Sequence, residues 1–491
     1  MSDQPRRATT SRARAAVGAR ASRAGAGRRP GPLAVLTIVV PVLTVLALLG
    51  VGVPKPPAAQ YQDPTTAPLT RVALVCPAVA ADGQVLVAST ATGDGGKVLS
   101  RSGGRAAAAS SSRLDVSPDR TTALTGDDAG AATRLVGVGA KAPGLSATRA
   151  GGPGLQVTAC PTTSADQWFT GVGAGAEHSS VLELTNPDAG PATASVSLVA
   201  QSGPVSEGLL DGISVPGRTT LRIDLASRIP KREELALHVV AARGRIAASL
   251  VDSFRTIGGG RTSDTSDYLS GQSTPADSSV MLGVPEDPRG AAVLVANPGD
   301  SSLQVQVNVV TAQSTFQPRS LDPVVVPPHT LRRVAVGALL RSKPARGALG
   351  LQVEASAPVV ASFRARVGND LMHLTPSGAL DGPAAVPVPV TRSARLVLGG
   401  AEALGRVRVT ARDTRGRTLA EETLQIAPDR GVDLDLPEGT ALVQLDPSGS
   451  PVQGSVLVSG PSGVGAVAIQ PPLTERLVPA VRPGLPPAPA D

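Results

Sequence analysis

Aromatic residues are scarce in this sequence. Its 491 residues include one Trp, two Tyr and four Phe. Small and β-branched side chains must therefore build the cores, and such cores bury less apolar area per residue. A carbohydrate-binding module usually presents exposed aromatic rings to its sugar, so the shortage disfavours that class. The length itself is enough for three or four ordinary domains.

Recognisable catalytic motifs are absent as well. The sequence contains no G-x-S-x-G nucleophile elbow, no S-x-x-K and no H-E-x-x-H. Its acidic residues, Asp252, Asp264, Asp267 and Glu286 among them, are interpreted as solvated surface groups. The four histidines have no partner at metal-ligand spacing; they are His178, His238, His329 and His373. The sequence therefore predicts a protein that is not an enzyme, with no catalytic residue, no cofactor and no metal site.

The chain has only two cysteines, Cys76 and Cys160. Each is followed by proline, and the two fall at the opening and closing strands of one predicted unit. Two isolated thiols without a C-x-x-C or a third ligand nearby argue against a zinc site. An even pair in an oxidising exterior is typical of a structural disulfide. In the chain-entropy model, closing a loop of about 85 residues stabilises a fold by up to about 4–5 kcal/mol.

Excess positive charge is confined to one end of the chain. The net charge is +7, and residues 1–32 hold eight arginines against the single acid Asp3. The remaining residues carry 38 basic and 38 acidic side chains. The high isoelectric point thus belongs to a short tail and not to a basic folded face. This location argues against a nucleic-acid partner.

A long uncharged run follows the arginines. Residues 31–54 contain no charged side chain, and about 20 apolar residues suffice for a transmembrane helix. The preceding arginines predict a cytoplasmic N-terminus, which leaves the bulk of the chain extracellular. A cleaved signal peptide is the alternative, but the run is longer than usual and no A-x-A site follows it. We predict an uncleaved single-pass signal anchor in the lipid bilayer, followed by a Pro-rich stalk.

One sequence pattern recurs at a fixed distance. An apolar run ends in Asn-Pro at Asn186 and again at Asn297, 111 residues later. Each copy continues with an alternating strand, a Val-Pro turn (at Val215 and Val326) and a β-hairpin pattern. Fainter copies lie upstream and downstream. The sequence therefore predicts four copies of a unit of about 100–110 residues.

Units of this size with short strands and Gly/Pro turns are typical of Ig-like β-sandwiches. A β-propeller would need blades of about 40–50 residues, which fits less well. The predicted fold is all-β, with tandem Ig-like β-sandwich units after one N-terminal transmembrane helix. In chain order we predict a cytoplasmic basic disordered tail (1–32), the signal anchor (33–54), the stalk (55–70), four β-sandwich units (71–165 with the disulfide, 166–277, 278–385 and 386–475) and a disordered Pro-rich tail (476–491).

Two adjacent aromatic residues, Trp168 and Phe169, lie between the first and second predicted units. They have two possible roles, contact with a ligand such as a glycan or packing in an inter-domain core. The sequence leaves both roles open.

The run ACPTTSADQWFTGVGAGAEHSSVLELTNPDAG, residues 159–190, resembles an actinobacterial family of exported proteins, domain of unknown function number 5719. The resemblance covers most of residues 70–475 and depends on the Cys-Pro, Trp-Phe-x-Gly and Asn-Pro motifs and the Pro-turn strands. It implies an envelope location and an all-β build, and it brings no established activity or catalytic residue. The fourth unit departs from the pattern, with Leu398-Gly399-Gly400 in place of Asn-Pro.

Together these features predict a non-enzymatic, membrane-anchored extracytoplasmic scaffold or accessory protein of the actinobacterial cell envelope. Its expected partners are other envelope proteins. The alternative is a module that binds cell-wall polysaccharide, in which Trp168 would contact the glycan. A third and weaker hypothesis is an extracytoplasmic hydrolase, which would leave new reducing ends on wall material.

Overall fold

The computed structural model describes residues 32–50, 64–78, 83–102, 111–125, 132–205, 210–230, 232–255 and 264–478. Four parts of the predicted organisation lie outside these ranges: residues 1–31 of the cytoplasmic tail, 51–54 of the anchor, 55–63 of the stalk and 479–491 of the C-terminal tail. The described part is mostly β, in several antiparallel sheets, which confirms the predicted β class. Residues Thr65–Val478 form one compact unit.

The apolar run near the N-terminus contains the helix α1 (Pro32–Gly50). Pro41 lies inside it and has no amide hydrogen to donate within the helix. Thr44 donates its hydroxyl to the carbonyl oxygens of Val40 and Pro41, at 2.7 and 2.9 Å. Over the residues that the structure describes, no helix has both the length and the hydropathy that crossing a membrane requires.

Strand pairing divides the compact unit into four segments. We define them as segment 1 (71–162), segment 2 (164–272), segment 3 (276–374) and segment 4 (380–469). Strand β1 (Thr65–Pro68) precedes segment 1. The first strands of segments 3 and 4 begin at Ala276 and Ala384, two residues before the predicted unit boundaries.

Segment 1 contains a 3₁₀ turn (Gly139–Lys141) and eight short strands. The strands are β2 (Arg71–Cys76), β3 (Gln84–Ser89), β4 (Lys97–Ser102), β5 (Ser112–Leu114), β6 (Thr122–Thr125), β7 (Thr133–Val138), β8 (Leu145–Ala150) and β9 (Val157–Ala159). They form two four-stranded sheets, ordered β2-β7-β4-β5 and β6-β3-β8-β9. The two sheets share one core, to which Leu74, Val87 and Leu135 belong.

Segment 2 forms one nine-stranded sheet. Its elements are β10 (Asp166–Ala174), β11 (His178–Thr185), β12 (Ala192–Ala200), β13 (Gly203–Val205), β14 (Ile213–Val215), β15 (Thr220–Asp224), α2 (Leu225–Arg228), β16 (Arg232–Arg243), β17 (Ala247–Arg255) and β18 (Asp264–Leu269). The strand order is β13-β12-β16-β10-β11-β17-β18, with β14 paired to β12 and β15 paired to β11.

Segment 3 repeats much of this plan. Its elements are β19 (Ala276–Leu282), β20 (Arg289–Ala296), β21 (Leu303–Val310), β22 (Thr315–Phe316), β23 (Val324–Val326), β24 (Leu331–Ala335), α3 (Gly337–Leu340), β25 (Gly350–Val367) and β26 (Asp370–Leu374). As β14 and β15 pair with β12 and β11, so β23 and β24 pair with β21 and β20. Each of these pairs is followed by a helix of one turn.

Segment 4 returns to two four-stranded sheets. Its strands are β27 (Ala384–Pro387), β28 (Ser393–Gly399), β29 (Gly405–Arg412), β30 (Thr418–Ile426), β31 (Val432–Leu436), β32 (Leu442–Ser448), β33 (Gln453–Gly460) and β34 (Gly463–Ala468). The orders are β27-β32-β29-β30 and β31-β28-β33-β34. One core, with Leu396, Val409 and Val456, lies between the two sheets.

The two ends of the compact unit meet in a separate ladder. Strand β35 (Glu475–Val478) pairs antiparallel with β1, from Thr65 opposite Val478 to Pro68 opposite Glu475. Residues 65–68 of the predicted stalk (55–70) and residues 476–478 of the predicted disordered tail (476–491) therefore belong to paired strands instead. A two-stranded ladder leaves half of each strand's amide groups unpaired, so a sequence containing Pro68 is compatible with it.

The recurring Asn-Pro motif follows the second strand of segments 2 and 3, β11 and β20, and closes that strand in the same way. The side-chain amide of Asn186 donates to the carbonyl oxygens of Gly190 and Val215, at 2.8 and 3.0 Å. That of Asn297 donates to Ser301 and Val326, at 2.8 and 3.1 Å. Each asparagine thus ties the end of one strand to the Val-Pro turn that lies 29 residues later in the chain.

Candidate functional site

The predicted disulfide is present between Cys76 and Cys160. It joins the last residue of β2 to the residue that follows β9, and both cysteines are buried in the core of segment 1. This confirms the expected role of the only two cysteines. Stable disulfides are typical of oxidising compartments, so the bond indicates an extracytoplasmic domain.

Strand β10 places the two adjacent aromatic rings in different surroundings. Phe169 is fully buried in the core of segment 2. Trp168 is 8% exposed, and its ring stacks on that of His238 with centroids 4.0 Å apart. His238 in turn lies 2.9 Å from a carboxylate oxygen of Asp166. Neither aromatic ring is an exposed platform.

A buried group of polar side chains lies where segments 2 and 3 meet, and sequence reasoning missed it. Asp252 on β17 lies 2.9 Å from Nε2 of His178 on β11 and 3.1 Å from Nε2 of His373 on β26. Ser180 donates its hydroxyl to the same carboxylate at 2.5 Å. All four residues are buried. We call this group the histidine cluster (His178, Ser180, Asp252, His373).

The interpretation of Asp252 and Asp267 as solvated surface groups was wrong. Asp252 is fully buried and Asp267 is 3% exposed, whereas the side chains of Asp264 and Glu286 are 59% and 89% exposed, as expected. Asp252 and Asp267 are paired across β17 and β18, so their side chains share one face of the sheet. That face packs on segment 3, which the local pattern of either strand does not reveal.

Burial and pairing set the charges in this cluster. Burial alone would raise the pKa of the Asp252 carboxyl, but the charge and hydrogen bonds of His178 and His373 hold it well below its usual range. Burial lowers the pKa of His373, against the opposing effect of Asp252. Burial also raises the pKa of Asp267 well above its usual range, although the amides of His373 and Tyr268 donate to it. Pairing thus favours the ionised form of Asp252, whereas burial favours the neutral form of His373.

An arginine from segment 3 extends the cluster. Arg364 on β25 donates to Glu234 at 2.7 Å and to the carbonyl oxygen of Gly171 at 3.1 Å. Its guanidinium lies 4.7 Å from the centre of the Phe254 ring, which also stacks on His178. Arg364 therefore pairs with a charge, a carbonyl group and an aromatic ring of segment 2 at once.

The geometry of the histidine cluster differs from that of a nucleophilic catalytic site. Ser180 donates to Asp252 and not to an imidazole, so the nucleophile–base hydrogen bond of a Ser-His-Asp triad is missing. The cavity that reaches His373 has a volume of about 10 Å³, room for about one water molecule. In the described ranges, no group of three or more His, Cys, Asp or Glu residues is placed to hold a metal ion.

A larger cleft, of about 360 Å³, lies where segments 1, 2 and 4 meet. Its lining includes Cys160, Ser249 and Gln470, and every residue in the lining is uncharged. Tyr268 also lines the cleft, and its hydroxyl donates to the carbonyl oxygen of Ala78 at 2.7 Å. The cleft has room for a small uncharged molecule, and its lining contains no carboxylate, imidazole or amine group.

Comparison with models of protein families identifies a match for this chain. The model of a family of unknown function, DUF5719, matches residues 115–437 of the chain. No curated protein matches it.

Proposed function

The chain belongs to the DUF5719 family, whose function is unknown, and from its own residues we propose that it is a non-enzymatic scaffold or accessory protein of the actinobacterial cell envelope. This proposal rests on one observation, the pairing of the buried ionisable groups with one another between segments. Asp252 and Glu234 bind His373 and Arg364 across the boundary between segments 2 and 3. Carboxylates and cations that pair with each other between two segments are not free to bind or protonate a substrate.

Hydrogen bonds also join segment 1 to each of the other three segments. Gln156 donates to the carbonyl oxygen of Ser266 in segment 2, and Asp370 in segment 3 accepts from the amide of Leu155. Gln444 in segment 4 donates to the carbonyl oxygen of Pro118. A body whose parts are tied together in this way holds its surfaces in constant relative positions, which suits a protein that positions partners.

The proposed location is the outer side of the membrane, on a signal anchor at 33–54 with a cytoplasmic N-terminus. The disulfide supports export. The eight arginines before an uncharged run support the orientation. We also propose an Ig-like sandwich plan for the units, which the paired sheets of segments 1 and 4 support best.

The proposal is tested by capture of the full-length chain from cross-linked membranes through a C-terminal tag. The matched control is residues 1–64 joined to an unrelated exported domain, which keeps the tail, anchor and linker. We expect a reproducible set of envelope proteins with the full chain and not with the control. An identical set from both would contradict a scaffold role of the folded body.

The same purified chain tests the other two hypotheses. Saturable co-sedimentation with cell-wall polysaccharide, unchanged after stripping of bound proteins, would favour the glycan-binding alternative. New reducing ends on that polysaccharide would favour a hydrolase and overturn the proposal.

A further inference from the structure

The balanced charge of residues 33–491 conceals an uneven distribution within segment 1. In the sheet β2-β7-β4-β5, Arg101 lies directly opposite Arg134, and Val138 lies opposite both Arg71 and Lys97. Arg113 on β5 lies opposite Leu99. Directly opposite residues share a face of a sheet, and residues two apart in one strand do so too. Five basic side chains therefore share one face, which we call the basic face (Arg71, Lys97, Arg101, Arg113, Arg134).

The remaining residues on this face are aliphatic. They are Ala73, Val75, Leu99, Val136 and Val138. The opposite face carries Val72, Leu74, Cys76, Val98 and Leu135, which lie in the core of segment 1. Over these four described strands, the basic face thus has no acidic side chain and no aromatic ring. The expectation that the folded part has no basic face was wrong, because period-two alternation gathers charges that the linear count averages out.

Arg134 is the basic residue of this face with several other cations near it. Its burial and the nearby charges of Arg101, Arg218 and Arg71 lower its pKa. The carboxylate that opposes them, Asp188, is held by Arg245 at 2.6 and 2.8 Å. Like charges directly opposite in a sheet are destabilising. An anion bound between these arginines would remove that repulsion.

We propose that the basic face, with Arg218 at its edge, binds a linear polymer that carries repeated phosphate groups. Arginine is suited to phosphate because its planar fork donates two parallel hydrogen bonds. Four of the five basic side chains lie level with the two ends of β7, about 13 Å apart at about 3.3 Å per residue. That spacing fits successive anionic groups of one chain better than a single small anion, which would need a concave pocket.

Two further observations restrict the class of phosphate-bearing ligand that fits this face. Nucleic-acid-binding surfaces for single strands usually stack bases on aromatic rings, and the described basic face has none, which favours a polymer without bases. Segment 2 contacts one end of the face, where Arg134 donates to the carbonyl oxygen of Pro187 at 2.8 Å. Segment 2 therefore borders the basic face on one side, and a flexible polymer can lie along that border. A flat membrane surface would need a basic face that no neighbouring segment borders.

The test measures binding of the full chain, in an uncharged detergent, to immobilised inorganic polyphosphate over a range of salt concentrations. The test variant is Arg71→Gln/Arg101→Gln. The matched control is Arg406→Gln/Arg408→Gln, which removes two exposed arginines from β29 of segment 4 and changes the net charge equally. We expect the slope of log K against log salt to decrease by about 2 in the test variant, about 1 for each phosphate-binding arginine replaced, and its affinity to fall at least about tenfold. The control should bind as the unaltered chain does.

Equal weakening in both variants would show that net charge alone decides binding, and unchanged binding in both would assign it to the arginines of residues 1–32. Both results overturn the proposal. If the first variant has a lower melting temperature, Lys97→Gln/Arg113→Gln replaces it, since both side chains are exposed.

Binding to two other probes tests whether the face recognises phosphate groups on a polymer. Equal affinity for polygalacturonate would overturn phosphate recognition, and binding only to phosphatidylglycerol vesicles would identify the face as a membrane contact instead.

Discussion

At the scale of single residues, Asp252 links segments 2 and 3. It is fully buried and accepts hydrogen bonds from a histidine on each side of the boundary. A buried charge is tolerated only while its partners remain. The partners His178 and His373 lie 74 and 121 residues away in the chain. No local pattern could have associated them, which is why the sequence suggested scattered histidines and solvated acids.

We expect Asp252→Asn to lower the free energy of unfolding by about 3 kcal/mol or more, because it leaves two buried imidazoles without their charged acceptor. Urea unfolding followed by circular dichroism measures this change. The control is Asp264→Asn on the neighbouring strand β18, where the side chain is 59% exposed and the change should stay within about 0.5 kcal/mol. Equal effects of the two substitutions would mean that the cluster contributes no stability.

The depressed pKa of His373 predicts a pH dependence. In the folded protein this imidazole binds its proton at a lower pH than in the unfolded chain, where it does so below about pH 6.5. More protons on the unfolded state means that stability falls as the pH drops through that value, by up to about 1.4 kcal/mol per pH unit. The raised pKa values of Asp267, Glu183 and Asp370 act in the opposite direction, since these groups make stability fall as the pH rises above their unfolded values.

A comparison of variants separates these effects. His373→Gln keeps a donor for Asp252 but cannot titrate, so we expect it to lose less stability than the unaltered chain between pH 7 and pH 5. Urea unfolding at several pH values measures the difference. His329→Gln is the control, because His329 is 44% exposed at its side chain. An unchanged slope in His373→Gln would assign the pH dependence to other groups.

At the scale of elements, the Asn-Pro motif shows what a recurring pattern does physically. Asn186 and Asn297 donate to the Val-Pro turns that follow β14 and β23, and each accepts from the amide two residues ahead. The residue three positions after the turn's valine, Arg218 or His329, has a positive φ of 60° or 49°. The Asn-Pro motifs of segments 2 and 3 are thus equivalent in backbone conformation as well as in sequence. The period-two alternation made the strands themselves predictable, because one face of each meets a core.

We expect Asn186→Ala and Asn297→Ala to lower the free energy of unfolding by similar amounts, about 1–3 kcal/mol each. Each substitution leaves buried carbonyl oxygens without donors. Thermal and urea unfolding of the two variants provide the measurement. Asn369→Ala, at an exposed site, is the control and should have little effect. A large cost in one segment and none in the other would contradict their equivalence.

At the scale of the whole molecule, apolar side chains pack between segments as well as within each segment. A small apolar cluster with Val199, Ala236 and Leu294 joins segments 2 and 3, and Val464 of segment 4 lies in the core of segment 3. Cores built mainly from valine, leucine and alanine bury little area each. Contacts between segments therefore add to the stability of each.

We expect Arg364→Ala to uncouple segments 2 and 3. The substitution leaves the partly buried Glu234 with only the more distant Arg333, at 3.7 Å, and removes the contact with Phe254. We expect a cost of about 2 kcal/mol for the lost charge-assisted hydrogen bond. In differential scanning calorimetry the ratio of calorimetric to van't Hoff enthalpy should rise above that of the unaltered chain, because fewer segments then unfold together. Arg346→Ala, at an exposed position, is the control. A lower melting temperature with an unchanged ratio would show reduced stability without uncoupling.

The sequence by itself determined the features that depend on neighbouring residues or on simple counting. The β class follows from period-two alternation, the repeat from the spacing of Asn186 and Asn297, and the disulfide from the presence of only two cysteines. Only the tertiary structure decided which surfaces meet. It placed Asp252 between two histidines, buried Trp168 against His238, and gathered Arg71, Arg101 and Arg134 on one face. The physical reason is that burial and charge pairing depend on distances in space between residues that are far apart in the chain, and no local pattern contains those distances.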